Sequence, residues 1–98
     1  MEDLYTSYIP IFKALSDETR LKIIAMLSSG EMCACTILEA FEITQPTLSY
    51  HMKILTECGL VNGVRDGNWM RYSLNKESQE RLQLFLNQLF GNTVRCKD

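Results

Sequence analysis

The sequence has little of what an enzyme or a membrane protein needs. It contains a single histidine, His51, and no convincing pair of nucleophile and base, which argues against a catalytic site. No apolar stretch approaches the roughly 20 residues of a membrane-spanning helix. The acidic, polar start MEDLYTSY does not look like a secretory signal. We therefore expect a cytoplasmic protein that is not an enzyme and makes no contact with a membrane.

Length and charge favour one small domain. Ninety-eight residues, of which 46% are hydrophobic, give a core that association into a dimer would enlarge. The net charge of −2 counts mildly against nucleic acid as a partner, because Lys and Arg must neutralise phosphates. A local basic face is sufficient, however. We expect a folded domain over residues 1–91 and a flexible tail over residues 92–98.

Capping residues divide the chain into helices, and a change to strand patterns follows residue 60. Ser16 or Asp17 suits the start of the second helix, Thr44 that of the fourth, and Asn75 or Lys76 that of the last. Gly30, Gly59 and Gly91 suit helix ends. The predicted order is ααααββα, mainly α with a small β-hairpin. Its helices span residues 4–15, 17–30, 31–41, 44–59 and 75–91, and its strands span residues 60–65 and 69–74, with a turn at Asp66-Gly67. In the second helix the predicted inward stripe consists of Leu21, Ile24, Ala25 and Leu27 or Ser28.

The fourth predicted helix has an inward stripe and a polar outer face. Leu48, Met52 and Leu55 follow at positions i, i+4 and i+7. Gln, Ser and Lys side chains hydrogen-bond base edges or phosphates, and His51 lies on the flank. The candidate DNA contacts of this helix are Gln45, Pro46, Thr47, Ser49, Tyr50, His51 and Lys53. An ordinary amphipathic surface helix would show the same pattern, so this helix alone leaves both interpretations open.

The hairpin after this helix favours DNA binding. Arg65, Asn68 and Arg71 lie at or near its tip, where they could contact phosphate or enter a minor groove. A solvated turn is the alternative for these three residues alone. Two helices joined by a short connection and followed by a hairpin are the order of a winged helix-turn-helix.

Cys33 and Cys35 are candidate ligands for a soft, thiophilic ion. In a regular helix, residues two apart point about 200° from one another. We therefore expect that binding one ion through both thiolates must distort the start of the third helix. Two small buried residues are the alternative.

Four motifs resemble the ArsR/SmtB family of bacterial metal-sensing repressors. They are FKALSDETRLKII (residues 12–24), EMCAC (31–35), TQPTLSYHMKIL (44–55) and VRDGNWMRYSLN (64–75). The resemblance implies a homodimer joined through the first and last helices. It also implies double-stranded operator DNA with an imperfect inverted repeat as the partner, and repression that needs no cofactor.

Within that family, the resemblance is to the arsenic-responsive type. Members that sense zinc carry several His and carboxylate ligands on the last helix, whereas the one histidine here is in the fourth. Members that sense cadmium or lead add N-terminal cysteines, and no cysteine precedes Cys33. The implied inducer is arsenite or antimonite, bound by Cys33, Cys35 and a third ligand. Some members place that third thiol where this chain has Leu38, so Cys96 is the candidate and Cys58 a weaker one.

Three other functions stay open at this point. They are a thiol-based redox repressor of the same fold, a cadmium or lead sensor, and a winged helix that binds protein rather than DNA. No Lys or Arg neighbours Cys33 in the sequence and Glu31 is near, which does not favour a reactive thiolate.

Overall fold

Five helices and three short strands make up the structure, a computed structural model that describes residues 2–91. The elements are α1 (Glu2–Ala14), α2 (Glu18–Leu27), β1 (Met32–Cys33), α3 (Ala34–Glu39), α4 (Gln45–Glu57), β2 (Val61–Asp66), β3 (Trp69–Leu74) and α5 (Lys76–Leu89). The winged helix-turn-helix order is confirmed with one addition, the strand β1. The predicted flexible tail lies outside the described residues. Within those residues, no helix is long and apolar enough to cross a bilayer.

Side-chain caps fix where three of the helices begin. Asp17 Oδ2 accepts a hydrogen bond from the Arg20 backbone N–H at 3.1 Å, and Thr44 Oγ1 accepts one from the Thr47 N–H at 3.2 Å. Asn75 Oδ1 accepts a hydrogen bond from the Ser78 backbone N–H at 3.0 Å. Each bond satisfies a donor that the first turn leaves unpaired. The starts of α2, α4 and α5 were therefore readable from the sequence.

The core lies between α2, α3, α4 and the base of the sheet. Leu48, Met52 and Leu55 are buried, as the stripe on α4 predicted. On α2 the predicted stripe is confirmed at Leu27, which is buried, but it is wrong at Leu21, which is 52% exposed, and it omits the fully buried Ile23. Both stripes have helical spacing, so periodicity alone could not decide between faces about 100° apart.

The wing is a three-stranded antiparallel sheet with the order β1-β3-β2. Asp66 pairs with Trp69, so the turn consists of Gly67 and Asn68, one residue later than predicted. Gly67 has φ +66°, which suits a two-residue hairpin turn. On the other side of β3, Met32 pairs with Tyr72 and Cys33 with Arg71. The predicted helix 31–41 is therefore wrong at its start, because residues 32 and 33 extend the wing.

Candidate DNA interface and thiol site

The outer face of α4 is exposed as predicted. Its exposed candidates are Gln45, Pro46, Thr47, Ser49, Tyr50 and Lys53, and the Tyr50 side chain is 61% exposed. Thr44 holds the first turn in place, so the polar groups that follow it are presented by a capped, regular helix. This face has the donors and acceptors that reading base edges requires.

His51 lies apart from the other predicted contacts. It is only 8% exposed, and its Nδ1 lies 3.0 Å from Arg20 Nη1, which donates to it. Arg20 also donates from Nε to the Ala14 carbonyl oxygen at 2.6 Å. Position 51 follows Leu48 by three residues, which places it on the inward side of the helix. His51 therefore joins α4 to α2 and does not belong to the exposed face of α4.

Two of the three wing candidates face the same cleft as α4. Gln45 and Ser49 line one wall of this cleft, and Arg65, Asn68 and Trp69 line the other. Trp69 is 44% exposed and was missed by the sequence analysis. Its position next to Asn68 at a hairpin turn could have indicated an exposed aromatic residue, because a side chain at such a turn does not reach the core.

Arg71 differs from the other wing candidates. Its Nε lies 3.4 Å from Glu31 Oε1 and 3.7 Å from Asp66 Oδ2, and its side chain is 41% exposed. The guanidinium is thus engaged by two carboxylates of the protein itself.

The two candidate thiols lie side by side. Cys33 Sγ and Cys35 Sγ are 2.6 Å apart, and the Cys35 backbone N–H donates to Cys33 Sγ at 3.3 Å. Cys33 is the N-cap of α3, with φ −69° and ψ 144°. Because this backbone is extended, the 200° argument for a regular helix does not apply. The expectation that the helix start must unwind to bring the thiols together is therefore wrong.

Hydrogen bonding makes the two thiols unequal. The hydrogen bond between the two side chains lowers the pKa of the Cys33 thiol and raises the pKa of the Cys35 thiol. The Cys35 backbone N–H and the charge of Arg71 also favour the Cys33 thiolate. The sequence showed no cation beside Cys33, yet the sheet brings Arg71 opposite it. A cation in this position increases thiolate reactivity.

The other sulfur ligands are not assembled here. Cys58 follows α4, donates to the Leu55 carbonyl oxygen at 3.3 Å, and has a pKa raised by burial. Among residues 2–91, no group of three or more His, Cys, Asp or Glu side chains is placed to hold a metal ion. Cys96, the predicted third ligand, lies outside the described residues.

Comparison with known proteins agrees with this architecture. The family described as bacterial regulatory protein, arsR family, matches residues 17–63. An arsenical resistance operon repressor from Staphylococcus aureus is 44% identical over 92 residues, 94% of this chain and 88% of that protein. A cadmium resistance transcriptional regulatory protein homolog from the same species is 38% identical over 81 residues, 80% of this chain and 67% of that protein.

A solved structure gives the same result for the fold. The homodimeric winged helix-turn-helix DNA-binding domain of a possible ArsR-family transcriptional regulator from Mycobacterium bovis has a TM-score of 0.73 and 25% sequence identity, over 99% of this chain and 90% of that chain. The expected family and fold are both confirmed, and with them the expectation of a transcriptional regulator rather than an enzyme. The chain belongs to the arsR family of bacterial regulatory proteins.

Proposed function

We propose that the chain is a homodimeric repressor that binds operator DNA through α4 and the wing and leaves it when trivalent arsenic or antimony binds Cys33 and Cys35. The observation that carries the proposal is the 2.6 Å separation of the two sulfur atoms at the start of α3. Two thiols so close, one at the end of β1 and the other in the first turn of α3, would form a soft-ion site next to the DNA-binding elements.

The chemistry needs no electron transfer. Each thiol replaces one hydroxyl of As(OH)₃, and the thiol proton leaves with that hydroxyl as water. Cys33 and Cys35 would replace two hydroxyls, and a third thiol would replace the last. Cys96, a small-molecule thiol or the remaining hydroxide could occupy that third position.

Apolar side chains on α1 and α5 support a dimer. Those more than a third exposed are Leu4, Tyr5, Ile9, Leu84, Leu89 and Phe90. Phe85 of α5 packs on α1, with its ring stacked on Tyr8 at a centroid distance of 4.1 Å. The two helices thus form one unit, and burying its exposed apolar groups against a second copy would be favourable. The Mycobacterium bovis domain is homodimeric, which supports a dimer for this chain as well.

Arsenic is favoured over cadmium. The arsenical resistance repressor from Staphylococcus aureus is more identical to this chain than the cadmium homolog and covers more of it. Only two thiols are brought together among the described residues. A release titration with arsenite, antimonite, cadmium and zinc, on a duplex from the promoter of the gene itself, tests the choice directly.

Serine variants test the ligands. Cys33→Ser and Cys35→Ser should bind the promoter duplex as the wild type does and should not be released by arsenite. Cys58→Ser is the matched control, since its thiol lies away from the pair, and it should respond normally. Normal release of both Cys33→Ser and Cys35→Ser by arsenite would reject the assignment.

The lowered pKa of Cys33 favours one second candidate, a redox switch. Peroxide would oxidise Cys33 and Cys35 to a disulfide, with two electrons and two protons passing to the peroxide to give two molecules of water. DNA release by peroxide without any response to arsenite would select this function instead. Binding to the duplex that does not depend on salt would reject both functions in favour of a protein-binding winged helix.

A further inference from the structure

Arg71 lies between the thiol pair and the tip of the wing. It is on β3, the central strand, and its Cα pairs with that of Cys33. Glu31, which it contacts at 3.4 Å, immediately precedes β1, and Asp66, at 3.7 Å, ends β2. The Arg71 guanidinium therefore connects the two outer strands of the sheet. It contacts one residue just before β1, which contains Cys33, and one residue at the end of β2, next to the hairpin turn.

We propose that Arg71 is a positioning residue that couples ion binding at Cys33 and Cys35 to the orientation of the wing, through the contacts Glu31–Arg71–Asp66. The inference rests on the proposed function and assigns its route of regulation. It also replaces the predicted role of Arg71 as a phosphate contact.

The geometry of ion binding explains why the wing responds. One ion bound by both thiolates would join Cys33 and Cys35 through two sulfur–ion bonds. These bonds replace the hydrogen bond between the two side chains and change how Cys33 is held relative to Cys35. Cys35 is inside α3, whereas Cys33 belongs to a strand of only two residues. The strand is the less constrained of the two, so β1 moves relative to β3.

The ion pairs carry this movement to the DNA-binding surface. When β1 shifts, Glu31 shifts with it, and its distance from Arg71 changes. The balance of the Arg71 guanidinium between Glu31 and Asp66 then changes as well. Asp66 is followed directly by the turn Gly67-Asn68, beside the cleft that Arg65 and Asn68 share with α4. A change at Asp66 therefore alters how the wing faces α4, and with it the fit to DNA.

Two arginine variants separate coupling from phosphate contact. The dissociation constant for the promoter duplex is measured with and without saturating arsenite, and the ratio of the two is the coupling, commonly 5–150-fold. In Arg71→Gln we expect DNA affinity without arsenite to stay within about threefold of wild type and the ratio to fall at least fivefold. Arg65→Gln should instead weaken DNA binding and keep the wild-type ratio. Arg71→Lys should recover part of the coupling.

Trp69 provides a second readout. It is the only tryptophan of the chain and pairs with Asp66 beside the turn. Arsenite added to the DNA-free protein should change its fluorescence in wild type and much less in Arg71→Gln, although arsenite affinity stays within about twofold. Asp66→Asn, which keeps the arginine, should lose the same signal if Arg71→Gln proves poorly folded.

The outcomes separate the inference from the function beneath it. A wild-type ratio in Arg71→Gln, or weakened DNA binding with a smaller salt dependence, would overturn the coupling role while the repressor assignment stands. Absence of any arsenite effect on the wild-type protein would reject the arsenic sensor and the coupling together.

Discussion

Lys53 offers the sharpest test of the proposed DNA surface. It lies on the outer face of α4, and its only ion pair among the described residues is with Glu57, with Nζ 4.0 Å from Oε2 and both side chains about two-thirds exposed or more. An exposed pair of this kind contributes at most about 0.5 kcal/mol to stability. We therefore expect Lys53→Gln to lower the melting temperature by less than about 4 °C.

The effect on DNA binding should be far larger. Each phosphate contact contributes about −0.9 to the slope of log K against log salt concentration, and a dimer has two copies of Lys53. The slope should therefore become less steep by about 1.8. If the Lys53 contact contributes nothing to affinity at 1 M salt, the affinity of Lys53→Gln should be about 30-fold below that of wild type at 0.15 M salt and about 200-fold below it at 0.05 M.

Fluorescence anisotropy with a labelled promoter duplex, over a series of salt concentrations, measures both quantities. Lys76→Gln is the matched control, because it removes the same charge from the exposed first residue of α5, beside the base of the wing rather than its tip. Its slope should stay within about 0.3 of wild type. An unchanged slope in Lys53→Gln, or an equal change in Lys76→Gln, would refute the assignment of α4 as the reading helix.

Three further predictions concern stability and are checked by thermal or urea denaturation. The pKa of Asp17 is lowered chiefly by the Arg20 backbone N–H, so its stabilising effect is present above pH about 4 and is lost as the pH falls through the folded pKa. Asp17→Asn, which keeps the cap, should thus lose less stability than wild type on acidification, while Asp17→Ala should cost about 1 kcal/mol at pH 7; parallel pH profiles for Asp17→Asn and wild type would contradict this. Ile37→Ala, at a position with 0% exposure, should cost about 2–5 kcal/mol, and a cost under 1 kcal/mol would mean that the core is not packed here. Gly63→Ala places a Cβ 2.9 Å from the ring of the buried Tyr72 and should cost about 1–3 kcal/mol, so unchanged stability would show that the ring moves freely.

Local signals in the sequence were sufficient for most of the fold. Caps at Asp17, Thr44 and Asn75 and the spacing of Leu48, Met52 and Leu55 act within one helix, so they could be recognised without knowledge of the tertiary structure. The same holds for the exposed polar groups of α4. The family resemblance then indicated the functions of these elements, with α4 and the wing as the DNA-binding elements.

The features that the sequence did not predict correctly depend on contacts between segments that are distant in the chain. A strand of two residues has no periodicity, and β1 exists only because β3 pairs with it. Arg71 lies 38 positions after Cys33 in the sequence and directly opposite it in the sheet. His51 was assigned to the DNA surface because its chemistry suits that role, whereas the guanidinium of Arg20 on α2 holds it inward.

The pairing of β1 with β3 also determines at what stage of protein synthesis the thiols can be connected to the wing. Met32 and Tyr72 are partners across the sheet but 40 positions apart in the chain, and pairing over such a separation forms late in folding because of the entropy of closing the loop. A nascent chain that ends before Trp69 has both thiols and the complete α4, but it has neither the strand opposite Cys33 nor Arg71. If Cys33 and Cys35 bind arsenite as proposed, such a chain would bind it without the contacts that link the thiols to the wing. Under the proposed function, only a chain that includes β3 would respond to the inducer by leaving DNA, and a truncated product would only bind arsenite.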